Sequence, residues 1–130
     1  MTGRLEHVNV TVKDPDATAR LMRELFDWQV RWSGPSIHGG YTVHIGTDTD
    51  YIALYRPNEE PAPHKRRDDP AYDAVGHLAH IGIVVDDLDA VEARVKATGF
   101  TPFNHGGYDP GRRFYFLDKD DIEYEVVSYA

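Results

Sequence analysis

The sequence predicts an α+β chain built from two copies of one βαβββ unit, and three observations carry that reading. Residues 5–17, LEHVNVTVKDPDA, return as residues 78–90, LAHIGIVVDDLDA, with a histidine third in each segment. Each copy continues into a capped stretch with a helical apolar stripe, and each stripe is followed by three short strand-like runs. Internal repetition is a strong guide to architecture, because two copies of one unit put equivalent residues in equivalent local positions. His7 and His80 are such a pair.

In the first strand His7, Asn9 and Thr11 share one face, while Val8, Val10 and Val12 share the other. In its counterpart His80, Gly82 and Val84 oppose Ile81, Ile83 and Val85. The branched apolar face needs a helix over it. Asp14-Pro15 reads as an N-cap followed by the proline tolerated at the first helical position, and Ala17, Leu21 and Leu25 recur every fourth residue. Asp87 caps the second copy, where Leu88, Val91 and Val95 form the stripe before Gly99 stops it.

The remaining strands are expected near Trp28 to Ser33, Tyr41 to Gly46 and Tyr51 to Tyr55, then near Phe100 to Phe103, Arg112 to Asp118 and Ile122 to Ser128. His-Gly-Gly-Tyr occurs at 38–41 and again at 105–108, which implies a shorter second strand in the second copy, and the glycine pairs read as turns with positive φ. Residues 56–77 carry four prolines. The modules are therefore placed at 1–57 and 78–130, with 58–77 as a linker, in one structural domain.

Bulk properties exclude several classes. At 130 residues the chain is one domain by size, and either half alone is marginal, so the halves should fold together. A formal net charge of −8 disfavours nucleic acid, and the basic run Lys65-Arg66-Arg67 is followed at once by Asp68-Asp69, as in a solvated loop. There is no cysteine, no apolar signal core and no run long enough to span a membrane, so a cytoplasmic protein is expected.

The order βαβββ twice, with a histidine on the inner face of each first strand, resembles the vicinal oxygen chelate superfamily: glyoxalase I, type I extradiol dioxygenases, fosfomycin-resistance enzymes and bleomycin-resistance proteins. The ending FYFLDKDDIEYEVVSY resembles the family's closing pattern, in which an Asp-Pro-Asp-Gly turn precedes a strand bearing a glutamate; here the turn reads Asp118-Lys119-Asp120-Asp121, without proline or glycine. The resemblance implies a curved, incompletely closed barrel of strands around a cavity, a homodimer, and a metal set of His7, His80 and Glu125. Glu123 takes the third place if the register slips.

Two imidazoles and one carboxylate on rigid strands suit a divalent ion such as Fe²⁺, Mn²⁺, Ni²⁺ or Zn²⁺, and three protein ligands leave positions open for adjacent oxygens of a small substrate. In glyoxalase I and methylmalonyl-CoA epimerase a segment resembling Asp-x-x-Ile-Glu-Leu-x-x-Pro supplies a fourth ligand. Here Asp50-Tyr51-Ile52-Ala53-Leu54-Tyr55-Arg56-Pro57 puts Ala53 in that place. A methyl group neither coordinates nor accepts a proton, so glyoxalase I chemistry is disfavoured and the three-ligand branch is implied, as an extradiol-dioxygenase-like enzyme or a lyase or isomerase.

His105, Phe114-Tyr115 and Glu125 are similar in order to the dioxygenase pattern, which makes Tyr115, His105 and, in place of that family's other histidine, His44 the catalytic candidates. The plainer reading makes Tyr115 a lining aromatic and His105 a turn residue. Asn9, Tyr51, Tyr55 and Arg113 are candidates for substrate contact, since Arg113 alternates in phase with Tyr115 while Arg112 points away. Trp28 and Trp32 are expected to pack at the barrel edge, and His64 and His77 at the surface. The competing function is a non-catalytic protein that sequesters a small molecule, as bleomycin-resistance proteins do.

Overall fold

The computed structural model describes residues 1–62, 75–108 and 111–130. His64, the Lys65-Arg66-Arg67 run with Asp68-Asp69, and most of the segment read as a linker lie outside the described residues. The chain divides into two compact units, Met1–Ala62 and Pro63–Ala130. The fold class is α+β, with one βαβββ module in each unit.

The first unit runs β1 (His7–Thr11), α1 (Pro15–Phe26), β2 (Gln29–Pro35), a 3-10 turn (Ile37–Gly39), β3 (Tyr41–Gly46) and β4 (Tyr51–Arg56). Its open sheet has the order β1-β4-β3-β2, with β1 parallel to β4 and the other pairs antiparallel. Helix α1 begins where Asp14 accepts the Ala17 N–H at 3.1 Å, with Pro15 at the position that needs no donor. It ends where Asp27 adopts the left-handed conformation at φ 58° and sends its N–H to the Arg23 carbonyl. Thr18, Ala19, Met22 and Leu25 are buried on α1, and Val43, Ile45, Ile52 and Leu54 on the strands it covers. Each large apolar side chain in such a layer contributes roughly 2 kcal/mol of burial.

The second unit repeats the plan with β5 (Ile81–Val84), α2 (Leu88–Ala97), β6 (Phe103–Tyr108), β7 (Gly111–Leu117) and β8 (Glu123–Ser128), in the order β5-β8-β7-β6. Asp87 caps α2 through the Ala90 N–H at 3.1 Å, and Gly99 follows the helix at φ 95°. Leu88, Val91 and Val95 are buried on the helix, and Ile83, Phe114, Phe116, Tyr124 and Val126 on the apolar face of the sheet.

One strand departs from expectation. β6 spans Phe103–Tyr108 rather than Phe100 to Phe103, and Gly106 and Gly107 lie inside it, paired with Arg113 and Arg112. The Gly-Gly turn is real only in the first copy, where Gly39 has φ 73°. In the second, the irregularity sits at Asn104, φ 51°, within a register shift between Phe103 and Gly106. Ladder hydrogen bonds to β7 thus override the low strand preference of glycine. The two tetrapeptides are not structural equivalents.

The turn between β7 and β8 closes without proline or glycine. Asp118 Oδ1 accepts the N–H groups of Asp120 and Ile122 at 2.8 and 3.1 Å, and Asp121 takes the left-handed position at φ 59°. Aspartate is among the few residues that occupy that region readily.

Candidate functional site

In each sheet the face opposite the helix carries most of the candidate site side chains. In the first unit the register aligns His7 with Tyr51, Asn9 with Ala53 and Thr11 with Tyr55; it also places His44 beside Ala53 and Trp32 beside His44. One ring from each strand builds a continuous series. His7 stacks on Tyr51 at 4.8 Å, Tyr51 on His44 at 4.5 Å, and His44 meets Trp32 at 5.4 Å with planes 60° apart. The Arg31 guanidinium lies 4.5 Å from the Tyr51 ring centre.

Glu6 Oε1 lies 2.8 Å from His7 Nδ1. An ionised carboxylate can only accept, so Nδ1 donates its proton to Glu6, and whenever the ring is neutral the lone pair lies on Nε2. The same contact holds the Glu6 carboxyl below its usual range. His44 is half-buried, and desolvation followed by the nearby His7 lowers its pKa, which favours its neutral form. Tyr55 directs its hydroxyl to the Ile37 carbonyl at 2.8 Å, where it braces the 3-10 turn. Ala53 is buried among these neighbours at 2% exposure. Asn9 stands exposed on β1.

The second unit brings His80, Arg113, Tyr115, Glu123 and Glu125 together. His80 Nε2 lies 3.1 Å from Glu125 Oε1, and His80 Nδ1 is 4.0 Å from Glu123 Oε2. Tyr115 donates its hydroxyl to Glu125 Oε1 at 3.0 Å, and Arg113 donates from Nη1 to Glu125 Oε2 at 3.0 Å. Arg113 and Glu125 are about equally buried, with side chains 14% and 13% exposed. The carboxylate is thereby fixed on both oxygens by donors from β7. The alternation that puts Glu125 on this face puts Glu123 there too, so both carboxylates flank one histidine.

The structure does not bring His105 to Tyr115 and Glu125. Its Nε2 lies 2.7 Å from Glu92 Oε2 on α2, and its ring leans on Phe114, which belongs to the helix-covered face. Strand alternation separates Phe114 and Tyr115 onto opposite faces, so His105 stands across the sheet from the Glu125 cluster. Arg112 also turns to α2, to Asp89 at 3.3 Å. Trp32 is exposed and Trp28 half-buried, tilted against Phe26. His77 is exposed.

Sequence reasoning passed over Glu6 and Arg31. An acid directly before a strand histidine is a usable signal for Glu6. Arg31 gave none, because a register shift between Val30 and Trp32 breaks the alternation that would assign its face.

Within neither unit, among the described residues, do three or more histidine, aspartate or glutamate side chains gather at metal-binding distance. His80 and Glu125 lie in the second unit, and His7 in the first.

A model of the Glyoxalase/Bleomycin resistance protein/Dioxygenase superfamily matches residues 4–126, and the chain belongs to that superfamily. Solved structures agree on the fold. The glyoxylase/bleomycin resistance protein/dioxygenase domain from Frankia sp. EAN1pec is 22% identical with a TM-score of 0.78, covering 98% of this chain and 93% of that one. The fosfomycin resistance protein FosX from Listeria monocytogenes, solved with Mn(II) and sulfate, is 18% identical with a TM-score of 0.69 over 98% and 93% of the two chains. FosX from Mesorhizobium loti is 19% identical, with a TM-score of 0.66 over 97% and 91%. No curated protein sequence matches the chain. No helix among the described residues is long and apolar enough to cross a membrane.

Proposed function

We propose that the chain is a metal-dependent enzyme of the three-ligand branch, acting on a small substrate that presents two adjacent oxygens. The observation that carries this reading is the 3.1 Å separation of His80 Nε2 and Glu125 Oε1. Two ligand atoms bound at ~2.1 Å and at right angles to each other lie ~3 Å apart, so this pair is spaced as one edge of a coordination sphere. The sequence repeat supports His7, the equivalent of His80 with Glu6 on its Nδ1, as the third donor of this reading.

The donor set suits Fe²⁺, Mn²⁺, Ni²⁺ or Zn²⁺, and the Mn(II) held by one structural neighbour supports a divalent ion. Bound there, the ion would serve as a Lewis acid toward the two substrate oxygens. The protein's own groups supply orientation and protons. Arg113 and Tyr115 fix the plane of the Glu125 carboxylate, and Glu6 fixes the tautomer of His7. Tyr115 holds a proton beside the ligand carboxylate, while neutral His44 is able to accept one. Tyr51 and Asn9 share the His7 face, which supports a role for them in substrate contact. Tyr55 has its hydroxyl committed to Ile37 and contributes only its ring.

The test is metal uptake by purified protein, including anaerobic reconstitution with Fe²⁺. His7→Ala, His80→Ala and Glu125→Ala should each weaken retention by about a hundredfold or more, because a three-ligand site has no spare donor. His105→Ala should retain metal like the parent. Uptake unchanged by His80→Ala or Glu125→Ala would refute the assignment. A protein that takes up no metal yet binds a small molecule without transforming it would be a sequestering protein instead.

A further inference from the structure

We propose that Arg31 and Trp32 form a binding subsite for a planar aromatic group carrying a negative charge, so that the substrate class is an aromatic acid or a comparable anion. The inference rests on the enzyme reading above for its place in a reaction, but its geometry is independent of any metal.

The first observation is the seat of Trp32. A Cβ built on Gly34 would fall 2.9 Å from Trp32 Cζ2, 3.1 Å from Cη2 and 3.6 Å from Cε2. An in-plane point off the Cζ2–Cη2 bond would lie about 4 Å from Cε2, so the three distances place it out of the indole plane, beside that edge. The indole therefore lies flat on its own strand, in space left open by glycine. His44 meets it obliquely, and 51% of the residue remains exposed. An indole buried for packing hides both faces, whereas this one presents a broad π surface to a ligand.

The second observation is the register shift between Val30 and Trp32. It puts two consecutive side chains on one face: Arg31 reaches over Tyr51 and Trp32 touches His44, and both rings belong to the His7 face. Bulges re-aim side chains in this way beside functional sites. The result is a guanidinium over the Tyr51 ring and an exposed indole against the His44 ring, on the same face of one sheet. Arg31 has no carboxylate within ion-pair distance among the described residues, although its charge reaches Glu6. A cationic ligand would be repelled by Arg31, and a neutral one would leave its charge unused. A planar anion satisfies both groups, stacking on the indole while its charge pairs with the guanidinium.

The experiment uses metal-free protein in a Trp28→Phe background, where Trp32 is the only indole, and titrates benzoate while following fluorescence. Saturable quenching is expected, with cyclohexanecarboxylate, which has the charge without the flat ring, at least about fivefold weaker. Arg31→Gln should weaken benzoate at least about fivefold with little effect on benzyl alcohol. Gly34→Val, which lifts the indole from its seat, and Trp32→Leu, read by calorimetry with circular dichroism as a check on folding, should weaken it similarly. Equal affinity for the two carboxylates, or benzoate binding unmoved by both Arg31→Gln and Trp32→Leu, would overturn the proposal. So would a lack of benzoate binding together with a change of oligomeric state in Trp32→Leu, which would make the patch a protein interface. Protein that takes up metal but not benzoate defeats this inference and leaves the enzyme reading standing; protein that binds benzoate but no metal does the reverse.

Discussion

Asp118 is 4% exposed and sits at the base of the turn that presents Glu123 and Glu125. Its carboxyl accepts two backbone N–H groups and the Tyr124 hydroxyl, contacts that favour ionisation, yet burial outweighs them and raises its pKa to about 6. In the unfolded chain the same group ionises near 3.8. Between those values the folded protein holds a proton that the unfolded chain has released, so stability falls as pH rises through the window from about 4 to about 6, then levels. The loss is on the order of 3 kcal/mol. Asp118→Asn keeps the oxygen acceptor and removes the titration. The variant should match the parent in denaturant midpoint at pH 4 and exceed it at pH 7; an equal difference at both values would show that Asp118 ionises freely in the fold. At this scale the sequence was informative where side-chain type and strand phase coincide, as for His80, Tyr115 and Glu125. It was silent where a neighbour sets the role. Nothing in the order of residues announces that Tyr55 spends its hydroxyl on Ile37, or that His105 pairs with Glu92 on a helix.

The helices were legible because each carries an explicit start signal. Asp14 and Asp87 use the same side-chain-to-backbone contact three residues on, and both elements bury a stripe against the branched face of their sheet. Asp14→Ala and Asp87→Ala should each cost about 1 kcal/mol in urea unfolding, with the corresponding Asn variants close to the parent, since asparagine caps nearly as well. An Asn variant as damaged as Ala would point to charge rather than the hydrogen bond as the origin. Strands β3 and β4 were read almost to the residue from dense β-branched and aromatic runs between turn signals. β6 was misplaced for a physical reason: Phe100 to Phe103 is apolar, but the ladder with β7 captures the glycine-containing stretch that follows it. Local preference lost to pairing.

At the scale of the molecule, we expect two chains per particle by light scattering at low micromolar concentration. Each module has a small core, and large apolar side chains stand exposed on strands of both sheets, Val30 on β2 and Val84 on β5. One chain per particle would contradict this. The duplication was the most legible property of the whole chain, and it extends to residue-level detail: cap, stripe, a histidine at or directly before the first strand, and parallel pairing of first strand with last recur in both units. The copies differ in what surrounds each histidine. His7 has a neighbour in sequence as its carboxylate partner, while His80 has its carboxylates from β8, a strand far along the chain.

That pairing of first strand with last bears on how the protein is made. β1 emerges from the ribosome early, but its hydrogen-bonding partner is the final strand of the module, so His7 cannot meet Tyr51 until every intervening residue has been synthesised. In each module the pairing of first strand with last must therefore wait for the end of the unit, while in the first module β2 and β3 can already pair as a local hairpin before β4 exists. Because Arg56 completes the first sheet before any of the second has been translated, the amino-terminal module has time to form while its twin is still being assembled.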